Sequence, residues 1–205
     1  MRGMGYPVCV IDDGSTDNTS EIAKQKGADV IVHDVNKGKG ASIREGFRYA
    51  IDTRCTALII MDGDGQHTPG DIQSFIEKYD ATNADIIVGN RMTDTKNMPL
   101  IRFLTNKFMS FLVSTVARQR IPDTQCGFRF IKRCVLEKVR LDSSNYDAES
   151  ELLIKAAFAG FSIESAVIQT IYGAEESKID RIKDTVRFFA LIIKSVQWQR
   201  ESDDG

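Results

Sequence analysis

The chain has 205 residues, 42% of them hydrophobic and 27% charged, which is enough to bury one sizeable core and excludes a disordered or fibrous protein. Its 27 basic and 29 acidic residues give a formal charge of −2, so there is no global electrostatic footprint for nucleic acid, and any anionic ligand must be held by a local cluster of charge. Cys9, Cys55, Cys126 and Cys134 are scattered without CxxC spacing and accompany only two histidines, which argues against a zinc site or a disulfide framework and for a reduced, cytoplasmic compartment.

Residues 8–11 form a short apolar run closed by Asp12-Asp13-Gly14-Ser15, which predicts a buried strand ending in a polar turn, and Thr19–Gln25 follows as a helix. A second strand is expected at 29–33, then the glycine-rich Asn36-Lys37-Gly38-Lys39-Gly40 and a helix over 41–52. A third strand, 57–61, ends on Asp62-Gly63-Asp64-Gly65, and Thr68-Pro69 starts a helix with a cap residue followed by proline. The fourth strand, 85–88, ends at Gly89-Asn90-Arg91. Further on, the pattern predicts a long apolar helix near Leu100–Ala117, a strand at 127–131, a helix at 148–159, a strand at 162–167 and a final helix over about 180–199. Strands alternating with helices at this spacing imply a mostly parallel sheet of right-handed crossover units. In such sheets ligands sit beyond the carboxyl ends of the strands, where Asp12-Asp13, Asp62-x-Asp64 and Asn90-Arg91 would converge.

Asp62 and Asp64 are carboxylates one residue apart just past a buried strand, and Gln66 adds an amide oxygen. Hard divalent cations take such ligands, and Mg²⁺ is usually held by one or two carboxylates together with substrate phosphates. An ion there would stabilise charge on a departing diphosphate, although an Asp-x-Asp is by itself also a common solvated turn. The residues at 12–17 equally suit any strand-to-helix turn with an N-cap; functionally, one carboxylate would contact a nucleobase or ribose while Gly14 lets the backbone approach the ligand. Lys39, flanked by glycines, would place a cation near the diphosphate if its loop is more than a connection. Arg91, Arg129, Lys132 and Arg133 read singly as surface charges, but Arg91 at a strand end could grip a phosphate. His33 and His67 are given no role. Asp147, Glu149 and Glu151 open a helix, where the helix dipole already favours acids.

With these pieces in place, the sequence resembles family 2 glycosyltransferases, in the branch of dolichol-phosphate mannosyltransferase-like and undecaprenyl-phosphate sugar transferases. The matching segments are VIDDGSTDNT at 10–19, NKGKGASIREGF at 36–47, MDGDGQHTP at 61–69, VGNR at 88–91, DTQCGFRFIKR at 123–133, YDAESELLIKAAFAGFSI at 146–163 and YGAEESKID at 172–180. They run in family order over nearly the whole chain.

The resemblance implies a GT-A, Rossmann-like α/β/α fold with a mostly parallel central sheet. It implies Mg²⁺ or Mn²⁺ held by Asp62, Asp64 and Gln66, a nucleobase or ribose contact from Asp13 with Asp12, phosphate-binding roles for Arg91 and Arg129, and Ser177-Lys178 closing over the site. The expected activity is inverting transfer of a hexose from a UDP- or GDP-sugar, most simply to a polyprenyl phosphate, whose oxygen is already ionised; a sugar hydroxyl acceptor would need Asp147 or Glu149 as base. The domain reading is a catalytic domain over 1–175 and an amphipathic helix over 176–205.

Family members also carry a strand and a Pro-x-Tyr-Asn-Glu type turn ahead of the Asp-Asp-Gly-Ser turn, and only eleven residues precede Asp12 here, so the family's first strand is expected to be missing. A catalytically impaired nucleotide-sugar-binding fragment is the alternative this raises. A haloacid dehalogenase-type phosphatase, whose nucleophile motif also follows an apolar strand with Asp-x-Asp, is a lower one.

Residues 1–7 hold no signal-peptide core, and no stretch reaches the roughly 18 apolar residues of a membrane span. Leu100–Ala117 is apolar almost all round, and Ile179, Ile182, Val186, Phe189, Ile193 and Val196 recur at helical spacing among basic residues. Core packing is the plain reading of each; the resemblance implies an interfacial helix at the cytoplasmic leaflet, and hence a peripheral location at the inner face of the membrane.

Overall fold

The computed structural model describes residues 5–93, 95, 98–169, 171 and 181–203. In chain order the elements are β1 (Cys9–Asp12), α1 (Thr19–Gln25), β2 (Asp29–Val32), α2 (Lys39–Asp52), β3 (Ala57–Ile60), a 3-10 turn at Pro69–Asp71 running into α3 (Ile72–Thr82), β4 (Ile86–Asn90), α4 (Leu100–Ala117), β5 (Arg129–Lys132), α5 (Arg133–Lys138), α6 (Asp147–Phe158), β6 (Ile163–Val167) and α7 (Arg181–Asp203). The strands stop where Asp, Gly and Asn replace the apolar run, since these residues favour turns over ladders.

Strand pairing departs from a purely parallel sheet. β1 and β2 pair in parallel as a two-stranded unit, while the other strands form a four-stranded sheet in the order β3-β5-β4-β6. β4 and β6 are parallel, with Asn90 opposite Val167. β5 runs antiparallel between β3 and β4, setting Arg129 opposite both Ile60 and Val88. Among the described residues no strand bonds the outer edge of β1 or of β3, and α2 packs against both strands. The burial pattern follows from this pairing. Every residue of the central β4 is buried, whereas all four residues of β3 are only half-buried.

The core runs from Phe47 on α2 and Phe75 on α3 through Ile86, Ile87, Phe128 and Ile131 of the sheet region to Leu152 and Leu153 on α6. α7 belongs to the same body: Phe188, Leu191 and Ser195 are buried on its inner face, against α6 and α4. Its outer face corrects the core-packing expectation, since Val186, Phe189, Ile193 and Val196 are exposed. On α4 likewise Val113 and Ala117 are buried, whereas Leu100, Ile101, Leu104, Phe108 and Phe111 form an exposed apolar stripe. Among the described residues no helix is long and apolar enough to cross a membrane.

Candidate active site

The end of β1 and the turn after it supply two carboxylates with different work. Asp12 is buried and accepts the Ser15 backbone N–H at 2.9 Å and the Ser20 hydroxyl on α1, so it ties the turn to the helix it leads into. These Ser15 and Ser20 hydrogen bonds hold its carboxyl below the usual range. Asp13 reaches across to the glycine-rich loop: Oδ1 lies 2.7 Å from His33 Nδ1 and accepts Lys37 N–H at 2.8 Å, while Oδ2 accepts Gly38 N–H at 2.8 Å. Burial would raise the Asp13 carboxyl, but the His33 contact and the two backbone donors outweigh it and lower it. Gly14 stands at φ +76, and a Cβ there would lie 2.8 Å from Asn36 N and Val35 C. The close approach expected of Gly14 is thus to the neighbouring loop, not in the first place to a ligand. Asp12 ties its own turn to α1, while Asp13 keeps about a fifth of its side-chain surface exposed.

Clamped in this way, the loop delivers Lys39 at the first turn of α2. Its Nζ lies 2.8 Å from Asp62 Oδ1 and 3.0 Å from Oδ2, just past β3, and 3.0 Å from Glu149 Oε1 on α6. Three separate elements therefore meet on one ammonium. Burial alone would lower the Lys39 pKa, but Glu149 and Asp62 outweigh it and raise it; burial would raise Asp62, and Lys39 outweighs that and lowers it. Gly127 lies directly beneath the Asp62 carboxylate, so closely that a Cβ would fall 2.3 Å from Oδ2. Asp64 is exposed, with Oδ1 accepting the Gln66 backbone N–H at 3.0 Å. The half-buried Gln66 has Oε1 at 3.4 Å from an Arg102 nitrogen at the start of α4.

Among the described residues no three His, Cys, Asp or Glu side chains converge as a ready cation cage. The oxygen donors present, Asp62 and Asp64 with the Gln66 amide, fit a hard ion that completes its shell with water and phosphate. The lack of a side chain at Gly127 leaves room for the Asp62 carboxylate.

The two arginines expected to bind phosphate are placed otherwise. Arg91 is buried and forms a bidentate pair with Asp123, Nε to Oδ2 at 2.7 Å and a terminal nitrogen to Oδ1 at 2.9 Å. Arg129 is 1% exposed, and its donors end on the carbonyls of Cys126, Thr124 and Glu149 at 2.8, 2.8 and 2.6 Å. With three of its five N–H donors on these carbonyls, the buried Arg129 ties the segment before β5 to the first turn of α6. Asp147 opens α6 with a buried Oδ1 that has no hydrogen-bond partner. Ser177 and Lys178 lie outside the described residues.

Sequence reasoning passed over both histidines. His33 orients Asp13, and His67 is buried against the Phe128 ring with Nε2 3.9 Å from Asp62 Oδ2; burial lowers its pKa in spite of Asp62. Arg102 and Asp123 were also missed, although Asp123 begins one of the matching segments. Glu151 accepts backbone N–H groups of Asp142 and Ser143, which steadies the loop leading into Asp147 and Glu149.

A sequence profile described as Glycosyl transferase family 2 matches residues 3–140. This chain belongs to glycosyl transferase family 2. Among named relatives, the UDP-N-acetylglucosamine–dolichyl-phosphate N-acetylglucosaminyltransferase of Methanococcus voltae is 29% identical, over 80% of this chain and 74% of its own length. The dolichol-phosphate mannosyltransferase of Pyrococcus furiosus is 28% identical over 99% of this chain, which spans 58% of that protein. The glucosyl-3-phosphoglycerate synthase of Mycobacterium tuberculosis, solved in complex with Mn²⁺ and UDP-glucose, superposes with a TM-score of 0.69 at 17% identity, covering 91% of this chain and 67% of that one. The family 2 glycosyltransferase thus has the expected GT-A fold class, and the resemblance to the dolichyl-phosphate branch is borne out. Membership of this family removes the phosphatase alternative.

Proposed function

We propose that the chain transfers a hexose, with inversion, from a UDP- or GDP-sugar to a polyprenyl phosphate, with Mg²⁺ or Mn²⁺ held by Asp62 and Asp64 and supplemented by Gln66. The observation that carries this reading is the convergence of the Asp13-clamped loop, Lys39, Asp62 and Glu149 beyond the ends of β1 and β3. In this reading Asp13 serves as the carboxylate for the base or ribose and Lys39 as the cation for the diphosphate, which the Asp13–Gly38, Lys39–Asp62 and Lys39–Glu149 contacts support. When bound, the divalent ion supplies Lewis-acid stabilisation of charge on the leaving diphosphate. Asp13 and its loop orient the nucleotide, while Lys39, paired with Glu149, keeps positive charge near the diphosphate. A phosphate acceptor needs no general base, which agrees with a Glu149 carboxylate already occupied by Lys39.

Arg91 and Arg129 serve this reading as positioning residues that hold the loop after β4 and the segment before β5. The exposed stripe on α4 favours a lipid-borne acceptor. Residues 98–120 contain no acidic side chain, and Arg102, Lys107, Arg118 and Arg120 are exposed along this stretch, as suits a helix lying on an anionic leaflet. Peripheral attachment at the cytoplasmic face follows from this reading.

The test is calorimetric titration of a panel of UDP- and GDP-sugars with and without Mn²⁺, followed by transfer to polyprenyl phosphate. Metal-dependent binding of one donor and product formation are expected. Binding without transfer to any acceptor would favour the impaired-fragment reading, and no binding by a folded chain would overturn the proposal.

A further inference from the structure

We propose that Lys39 is the resident cation of the Asp62 carboxylate, and that a divalent ion binding at Asp62 displaces the ammonium onto Glu149 alone. The inference rests on the reading that Asp62 is a metal ligand.

Two features of the geometry carry it. Both Asp62 oxygens face Lys39 Nζ, at 2.8 and 3.0 Å. An ion bonded to either oxygen at about 2.0–2.1 Å would press against a like charge, and in a partly buried site that repulsion is only weakly screened. The ammonium also has somewhere to go. Glu149 Oε1 already accepts it at 3.0 Å from a different element, α6, and the Tyr146 ring centroid lies 5.7 Å from Nζ. Lys39 would therefore stay paired after it leaves Asp62, and the buried Glu149 would never lack a counter-charge. Asp62 is held charged and in place before the ion arrives, at the cost of a competitor that the ion must first displace.

The consequence is measurable on the intact chain without turnover. Mn²⁺ affinity, read by electron paramagnetic resonance of the free ion, should rise about tenfold or more in Lys39→Met, where the competitor is gone. It should fall several-fold in Glu149→Gln, where the ammonium has Asp62 as its remaining carboxylate. In ¹⁵N-lysine-labelled wild-type protein, the Lys39 ammonium signal should shift with Mg²⁺ and saturate together with binding. That measurement needs no substitution and stands even if a variant fails to fold. Saturable Mn²⁺ binding that stays within about twofold of wild type in Lys39→Met would overturn the displacement and leave the metal reading intact. A Lys39 signal unmoved at saturating Mg²⁺ would do the same. Absence of saturable binding in both wild type and Lys39→Met would overturn the metal reading and this inference together.

Discussion

Arg91 and Asp123 meet in a buried bidentate pair, Nε to Oδ2 at 2.7 Å and a terminal nitrogen to Oδ1 at 2.9 Å, and the Arg91 backbone N–H reaches the same carboxylate at 3.2 Å. One carboxylate thus fixes both the end of β4 and the side chain that follows it. Asp123→Ala removes that partner and leaves a buried guanidinium facing the gap. The expected loss is about 3–5 kcal/mol of stability, read from urea unfolding midpoints. A loss under about 1 kcal/mol would mean the pair contributes little to the fold.

Gly127→Ala would drive a methyl into the Asp62 carboxylate, 2.3 Å from Oδ2. Asp62 must move, and with it the Lys39 contact. Transfer rate should fall at least about tenfold while stability drops by about 1–3 kcal/mol, the usual cost of overpacking. Wild-type turnover in this variant would show that the position of Asp62 does not matter.

Asp64 is exposed, and the contact that defines it is with the Gln66 backbone. Asp64→Ala should abolish metal-dependent transfer while changing stability by no more than about 0.5 kcal/mol, as is usual for surface sites. The checks are a radiolabelled transfer assay and a melting curve on the same preparation.

Sequence and structure agree best where chemistry is local. The strand ends, the Asp-x-Asp turn and the Lys39 loop were legible because turn residues follow apolar runs at fixed spacing. The direction of β5 was not, since an apolar run of its length encodes no polarity and only the path of α4 brings it in reversed. The partners of the arginines were hidden for a similar reason. The partner of Arg91 lies 32 residues away, and the acceptors of Arg129 include a carbonyl on α6, so neither pairing leaves a mark on adjacent residues. His33 was invisible because its value depends on β1 and β2 pairing side by side.

Asp12 gives a pH prediction with a definite sign. Its folded pKa lies below the ordinary value because of the Ser15 and Ser20 hydrogen bonds. Such a group contributes stability above its unfolded pKa, about 3.9, and that contribution is lost as pH falls through the lower folded value. Ser20→Ala weakens the effect, so the stability difference from wild type should be present at neutral pH and shrink towards zero in strong acid. Urea unfolding at several pH values measures it, and a difference that grows on acidification would contradict the assignment.

The apolar stripe of α4 predicts membrane partition. Leu104→Asp with Phe111→Asp should cut binding to anionic vesicles at least about tenfold while leaving the melting temperature nearly unchanged, because both side chains already face solvent. Unaltered vesicle flotation would remove α4 from the lipid-facing surface.

The separation of the β1–β2 pair from the four-stranded sheet has a thermodynamic meaning of its own. No ladder bonds join the two parts among the described residues, and α2 is the helix shared by β1 and β3. Amide hydrogens of β1 and β2 should therefore exchange through a partial opening of lower free energy than the global unfolding that governs β4. Because Asp13 and the Lys39 loop ride on that less stable part, a bound donor should slow exchange there first, by mass action on the closed state, before it protects the rest of the chain.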